Sequence, residues 1–420
     1  MNNAVNFDSL ETLDHDKRES NLFQQLAELL DHATAKCPAY SERLTHITAS
    51  SIKDRDELAS IPVLRKPELQ LAQQNNPPFG GFADLSELNE QSGTRIFMSP
   101  GPVWEPQAPG QDPWQVARAM FASGIRPGDK VHNAFSYHTT PGGFIMDQGA
   151  IALGCLVFPA GVGGTDTQVE AAHFYQPDVY AGTPDYLKVL LDRAEEVNNP
   201  LSSIKTGLVS GGALFPSLRE EYQSRGVNVM QCYATADLGV IAYETAVNDD
   251  VVPGMVCNEN LIVEIVRPGT DTPVKAGEVG ELVVTSFNTM YPLIRFGTGD
   301  LSAVIDEPSP CGRTNLRIKG WMGRADQRTK VKGMFVDPKQ IDELVQSQSG
   351  ISRARLVVSR QGDADTMTLQ VETDQPDAVD VAALEAEVQR VLNLKGEVAV
   401  ATEPLPNDGL VIADERDYSS

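Results

Sequence analysis

Basic residues are scarce in this chain. Its 420 residues include 34 Lys and Arg against 58 Asp and Glu, a formal net charge of −24. Nonspecific nucleic-acid binding needs dispersed Lys and Arg, so nucleic acid is not expected as a partner, while the charge favours solubility. Long hydrophobic runs are missing as well. No stretch approaches the ~20 consecutive apolar residues of a membrane span, so no membrane partner is expected. The N-terminal MNNAVNFDSLETLDHDKRES is polar throughout, which argues against a secretory signal, and its acids argue against a transit peptide. Cysteine is sparse: Cys37, Cys155, Cys232, Cys257 and Cys311 are scattered, odd in number and lack CxxC spacing. That pattern predicts a reducing cytoplasm and buried thiols rather than a disulfide framework. Histidine stops at His173, so the second half cannot use His to build a Cys/His metal site.

The length allows two domains, each with its own core. Apolar residues at helical spacing predict an amphipathic helix over 21–36. IPVLRKPELQ (61–70) reads as an entry loop and a short helix, and PPFGGF (77–82) as a packed loop. From about 115 to 245, helix and strand patterns alternate: WQVARAMFASG, the apolar run IALGCLVFPAG with its Gly-rich turn, the buried-strand pattern DVYAGTP, DYLKVLLDRAEEV, then GLVSGGA before a helix starting near Ser217. This rhythm predicts an α/β fold with a mostly parallel sheet. Residues 261–305 read instead as short strands of an antiparallel unit. A small α+β domain follows, with a βαβ-like VKGMFVDPKQIDELVQSQ, strands RARLVVSR and TMTLQVET, and the amphipathic helix VAALEAEVQRVLNL. The expected division is 1–322 and 323–420, joined by a hinge.

Residues 291–333 carry the most information. An aromatic-aliphatic strand, YPLIRF, runs into what reads as a Gly-Thr-Gly-Asp turn. From Arg313 to Lys339 there are eight Lys or Arg and two acids, Asp326 and Asp337. A positive island in so acidic a chain suggests that an anion is held there, with the carboxylate of Asp300 just before it.

Four motifs in order, SGGA (210–213), CYATADLG (232–239), RFGTGDL (295–301) and GRADQ (323–327), resemble those of the adenylate-forming superfamily, and more closely its phenylacetate–coenzyme A ligase branch. The resemblance runs from about residue 62 to 415 and is stronger in the second half. It implies a large N-terminal domain that binds ATP and a carboxylic acid, and a mobile C-terminal domain that brings coenzyme A to an acyl-adenylate. Gly211, Gly212 and Ala213 would let the backbone approach a ligand at a strand-to-helix junction. Tyr233 would stack near adenine, with Ala234, Thr235 and Ala236 beside the nucleotide. Asp237 would hold Mg²⁺, whose preference is for hard carboxylate oxygens. Asp300 would accept from two ribose hydroxyls. Arg324 would contact ribose or phosphate, and Asp326 would be the pivot. Gly333 would flank the pantetheine tunnel. Lys330 and Lys332 would meet coenzyme A phosphates, with a solvated basic face as the alternative. Tyr137 and His138, with Gly211, would line the acid's pocket.

Three departures stand out. The family's phosphate loop reads Ser-Ser-Gly-Thr-Thr-Gly-Lys-Pro. Here the segment is Ser99-Pro100-Gly101-Pro102-Val103-Trp104-Glu105-Pro106, keeping Ser99 and Gly101 for the nucleotide but placing Glu105 at the lysine. A carboxylate repels a triphosphate, and each proline removes an N–H donor. QSGT (91–94) lacks the following Thr-Gly-Lys and reads as a decoy. The C-terminal catalytic lysine aligns with Leu410. A zinc site of relatives keeps only Cys311, in Ser309-Pro310-Cys311-Gly312, with Thr245 and Val256 at other ligand positions, so no zinc is expected. The resemblance thus implies an ATP-, Mg²⁺- and coenzyme A-dependent ligase of a carboxylic acid, of the aryl or arylacetic kind, and a homodimer. The alternatives are a degenerate ligase that binds nucleotide or acyl-CoA without adenylation, and an enzyme of the thioester half-reaction or of another acceptor.

Overall fold

The computed structural model describes residues 6–90, 94–212, 214–248, 250–325, 327, 329–331, 334–348, 350–361, 364–376 and 379–416. The chain forms two compact units. The first comprises 1–263, 283–298 and 304–321, and the second 264–282, 299–303 and 322–420.

The first unit is built on a nine-stranded sheet. Its parallel part runs Asn228–Thr235, Thr206–Val209, Val179–Gly182, Lys130–Asn133, Leu156–Pro159. Helices Gly142–Leu153, Thr165–Tyr175, Pro184–Glu196 and Pro216–Ser224 supply the crossovers. Val179–Gly182 is buried at every residue, as a central parallel strand must be. Beyond Asn228–Thr235 the pairing turns antiparallel, through Gly239–Tyr243, Met255–Cys257 and Arg317–Ile318. The apolar run 151–161 is not one element. Its first residues finish the helix ending at Leu153, Gly154 turns the chain at φ +93°, and Leu156–Pro159 forms the edge strand. The N-terminal helix, His15–Lys36, starts at Asp14, whose carboxylate accepts from the Lys17 amide, and buries Leu22, Leu26, Leu29, Leu30 and Ala33 on one face.

A second sheet has the order Leu64–Arg65, Leu293–Ser302, Gly280–Ser286, Leu261–Val266. The expected antiparallel unit therefore includes a parallel member, because Leu64–Arg65 runs parallel to Phe296–Gly297. The Gly-Thr-Gly-Asp segment is not a turn. The strand passes straight through it to Ser302.

In the second unit, Pro338–Ser347 and Val381–Leu392 bring Ile341, Leu344, Leu384 and Val388 to a core shared with Leu356, Val358, Leu369 and Val371. Those strand residues belong to a sheet of order Glu397–Val400, Ala364–Thr373, Ile351–Gln361, Ile412–Asp414. The segment read as βαβ-like departs from expectation. Met334–Val336 pairs antiparallel with Thr329–Val331, in a two-stranded sheet separate from the one containing Ile351–Gln361.

Candidate active site

The rewritten phosphate loop is a tight β-hairpin. Ile96–Ser99 pairs with Val103–Pro106, Ser99 opposite Val103 and Phe97 opposite Glu105. Strand alternation turns Val103 and Glu105 inward and leaves Trp104 partly exposed. Ser99 is buried, and its hydroxyl donates to Glu105 Oε1 at 2.6 Å. Gln73 clamps the hairpin from outside: its Oε1 accepts from the Trp104 amide at 2.9 Å and its Nε2 donates to the Trp104 carbonyl at 2.8 Å. Gly101 sits at φ +151°, where a Cβ would meet Gln70 Nε2 at 2.7 Å. Ser99, expected to cradle phosphate, is thus bonded to Glu105.

Asp237 lies in the turn joining Asn228–Thr235 to Gly239–Tyr243, a turn closed by the Leu238 amide donating to Thr235 Oγ1. Gly239 is required there. It has φ +77°, and a Cβ would come within 2.6–2.7 Å of Trp114. The Asp237 side chain is 1% exposed. Its Oδ2 accepts from Lys66 Nζ at 2.7 Å, and its Oδ1 is buried with no hydrogen-bond partner. Sequence reading missed Lys66, which stands 171 positions away. The only signal was its place between an apolar loop and a helix start. Burial pushes the Glu105 carboxyl well above its usual range, and the nearby charge of Asp237 pushes it further. Tyr291, which accepts from Gln73 Nε2 at 3.1 Å, is pushed up by burial and by the same two carboxylates.

Glu105 and Asp237 line a cavity of about 360 Å³, together with the amides of Gln25, Gln115, Asn260 and Asn288. Among the described lining residues none is Lys or Arg. Tyr233 is buried on the same strand as Ala234 and Thr235, and Ala236 lines the cavity beside Asp237.

The acid-pocket residues separate. The Tyr137 hydroxyl accepts from Asn133 Nδ2 at 2.7 Å and donates to Asp147 Oδ1 at 3.2 Å, and its ring meets Phe144 edge-on at 5.1 Å. A Cβ on Gly143 would strike that ring at 2.8 Å. His138, by contrast, is exposed. The histidine held inside is His132, bonded to Tyr175 and Gln168 at 2.8 Å each. Gly211 and Gly212 are exposed after Thr206–Val209, with Gly211 at φ +72°. Ala213, Asp326, Lys332 and Gly333 lie outside the described residues, as do 91–93 of the QSGT segment, and the backbone of Lys330 pairs with Phe335.

In the second unit, two expected site residues meet. Arg324 donates to Asp300 Oδ1 at 2.8 Å, with Asp300 largely buried and the Arg324 side chain 55% exposed. The backbones lie alongside: Leu301 N donates to Gly323 O and Ala325 N to Gly299 O, both at 2.8 Å. Gly299, at φ +74°, allows this approach, since a Cβ would sit 2.8 Å from Arg324 Nη2. Gln327, from the same motif, donates to the Gly409 carbonyl at 2.6 Å and accepts from the Ile412 amide at 2.9 Å, holding the tail that carries the part-exposed Leu410.

Two cations of the basic island are held internally. Arg313 is buried in an ion pair with Glu11 at 3.0 Å. Arg317 donates to the carbonyls of Pro253 and Glu307 at 2.8 Å each. These cations neutralise and tie the protein itself. Beside them, Cys311 lies 3.0 Å from Ser309 Oγ and 3.6 Å from Arg313 Nη1. Burial raises its thiol, but hydrogen bonds, Ser309's first, outweigh that and bring it down to about 7.

Comparisons with known proteins agree with the resemblance that the motifs carry. Residues 118–291 match the AMP-binding enzyme family. The chain is 27% identical over 381 residues to a phenylacetate–coenzyme A ligase of Thermus thermophilus, covering 87% of this chain and 84% of that protein. It is 28% identical over 382 residues to the phenylacetate–coenzyme A ligase of Escherichia coli, with 87% and 84% covered. A solved 2-hydroxyisobutyryl-CoA ligase in complex with 2-HIB-AMP shares the fold, with TM-score 0.71 at 24% identity over 99% of this chain and 93% of that one. The chain is thus similar to phenylacetate–coenzyme A ligases over most of its length, with the AMP-binding enzyme match lying within residues 118–291.

Proposed function

We propose that the protein is an ATP-dependent carboxylic acid–coenzyme A ligase acting through an acyl-adenylate. The observation that carries this reading is the pairing of Asp300 with Arg324 in the ribose and hinge motifs. In this reading the Asp300 carboxylate accepts from ribose hydroxyls, while the exposed guanidinium of Arg324 can turn to an anion. A carboxylate oxygen of the acid attacks the α-phosphorus in line and pyrophosphate leaves. The coenzyme A sulfur then attacks the acyl carbon and AMP leaves. The protein contributes chiefly by positioning and charge neutralisation.

The residues present fit Mg²⁺, because Asp237 keeps a buried oxygen without a protein partner. Asp237 would hold the ion, which when bound neutralises phosphate charge. Lys66 keeps that carboxylate oriented and supplies positive charge near it. The ring of Tyr137 against Phe144 supports an aryl or arylacetic acid as substrate. We further propose a cytoplasmic homodimer, a C-terminal domain from residue 323 pivoting at Asp326, and coenzyme A held near Gly333.

Glu105 favours a second reading, in which the protein binds AMP or acyl-CoA without adenylating acids, since a carboxylate replaces the phosphate-gripping lysine. Acid-dependent ATP–pyrophosphate exchange separates the two. Exchange with any of a broad panel of aryl, arylacetic and short hydroxy acids supports the ligase. No exchange, together with clear AMP or coenzyme A binding, sinks it in favour of the binder.

A further inference from the structure

The carboxylate that replaces the loop lysine shares a cavity with the carboxylate assigned to metal. Glu105 and Asp237 both line it, and they are near enough for the charge of Asp237 to act on Glu105. Asp237 is almost completely buried, and its Oδ1 has no hydrogen-bond partner. An ionised oxygen left so is costly, and the natural remedy is a cation. Gln25, Gln115 and Asn260 line the same cavity, and a side-chain amide oxygen is a neutral ligand of the kind hard divalent ions accept. A positive group is already there: Lys66 Nζ sits 2.7 Å from Asp237 Oδ2. Its side chain is 30% exposed, so it can leave without being stranded in the interior. One ammonium balances one carboxylate, whereas a divalent ion balances two.

We propose that Glu105 and Asp237 together hold one divalent cation, and that Lys66 is the internal counter-charge this ion displaces. The positive charge lost with the loop lysine then returns as a bound ion, and Glu105 is a ligand rather than a defect. The inference deepens the ligase reading of the same site but needs neither nucleotide nor acid for its measurement.

The test titrates Mn²⁺ into the full-length, nucleotide-free protein and follows free Mn²⁺ by electron paramagnetic resonance. One site per chain is expected, weakened at least tenfold by Glu105→Gln and by Asp237→Asn, and tightened severalfold by Lys66→Met. Wild-type-like binding in Glu105→Gln overturns the proposal, as does the lack of any Mn²⁺ site sensitive to Asp237→Asn. Weaker binding in Lys66→Met overturns the displacement step. Thermal melting checks that each variant folds. Should Glu105→Gln fail to fold, Glu105→Asp keeps the charge on a shorter arm, and binding indistinguishable from wild type then counts against Glu105 as a ligand. Mn²⁺ binding as expected without ligation would sink the ligase reading and leave this one standing.

Discussion

The hairpin Ile96–Pro106 and the strand Leu293–Ser302 both carry segments that resemble nucleotide-binding motifs, yet they use their polar residues differently. In the hairpin, Ser99 is turned onto Glu105 and the Trp104 backbone onto Gln73. In the strand, Asp300 meets the partly exposed Arg324 of the next motif. The difference teaches that a loop's polar atoms can be turned wholly onto protein partners, whereas the Asp300–Arg324 pair keeps a carboxylate beside a largely exposed cation.

The sharpest way to break this comparison is to restore the loop residue. Glu105→Lys places an ammonium at a position 4% exposed, close to Lys66. It should destabilise the protein by about 3–5 kcal/mol, the scale of an uncompensated buried charge, and should not restore phosphate binding. Thermal or urea melting measures it, and unchanged stability would show that the hairpin opens readily. Next in size is Asp300→Ala. Losing a charged acceptor costs about 1.5–3 kcal/mol, roughly a 10–100-fold loss of AMP affinity by calorimetry. Wild-type affinity would remove the strand from the nucleotide site. Leu410→Lys should raise acid-dependent pyrophosphate exchange on the order of tenfold, about 1.4 kcal/mol. Leu410 is 37% exposed, and solvent screening keeps the gain below that of a buried donor. No gain would place the missing lysine elsewhere in the tail.

The smallest effect is a slope. Burial, reinforced by Asp237, raises the folded-state pKa of Glu105 above the usual 4.5. Over the window from that value up to the raised one, the folded state binds more protons than the unfolded state, so stability falls as pH rises. Glu105→Gln should be more stable than wild type near neutral pH, with the gap closing as pH falls towards 4.5. Parallel melting curves from acid to neutral pH would show instead that Glu105 is ionised at no cost.

Much of this was readable in the chain. The helical face of Leu22, Leu26, Leu29 and Ala33, the buried Val179–Gly182 and the Asp300 motif depend on local pattern, and local pattern is what a sequence displays. The failures share a physical cause. Lys66 finds Asp237 across 171 positions, and Arg313 finds Glu11 across the length of the first unit. Such pairings neutralise charge inside the protein, and no window of residues reveals them. Gly299 looked like a turn residue because glycine so often is one. Here its missing Cβ makes room for Arg324 within a continuous strand.

The small cluster of Val279, Leu301, Ala303, Met322 and Ala325 in the second unit has a practical corollary. Three of these residues precede position 322. Asn407, near the other end, donates to the Gly277 carbonyl and accepts from the Val279 amide, both at 3.3 Å. A tail grafted from a relative by splicing at 322 would therefore inherit foreign neighbours along 277–279 and 301–303. Exchange of tails is then expected to yield soluble chimaeras only when those two short stretches travel with the graft.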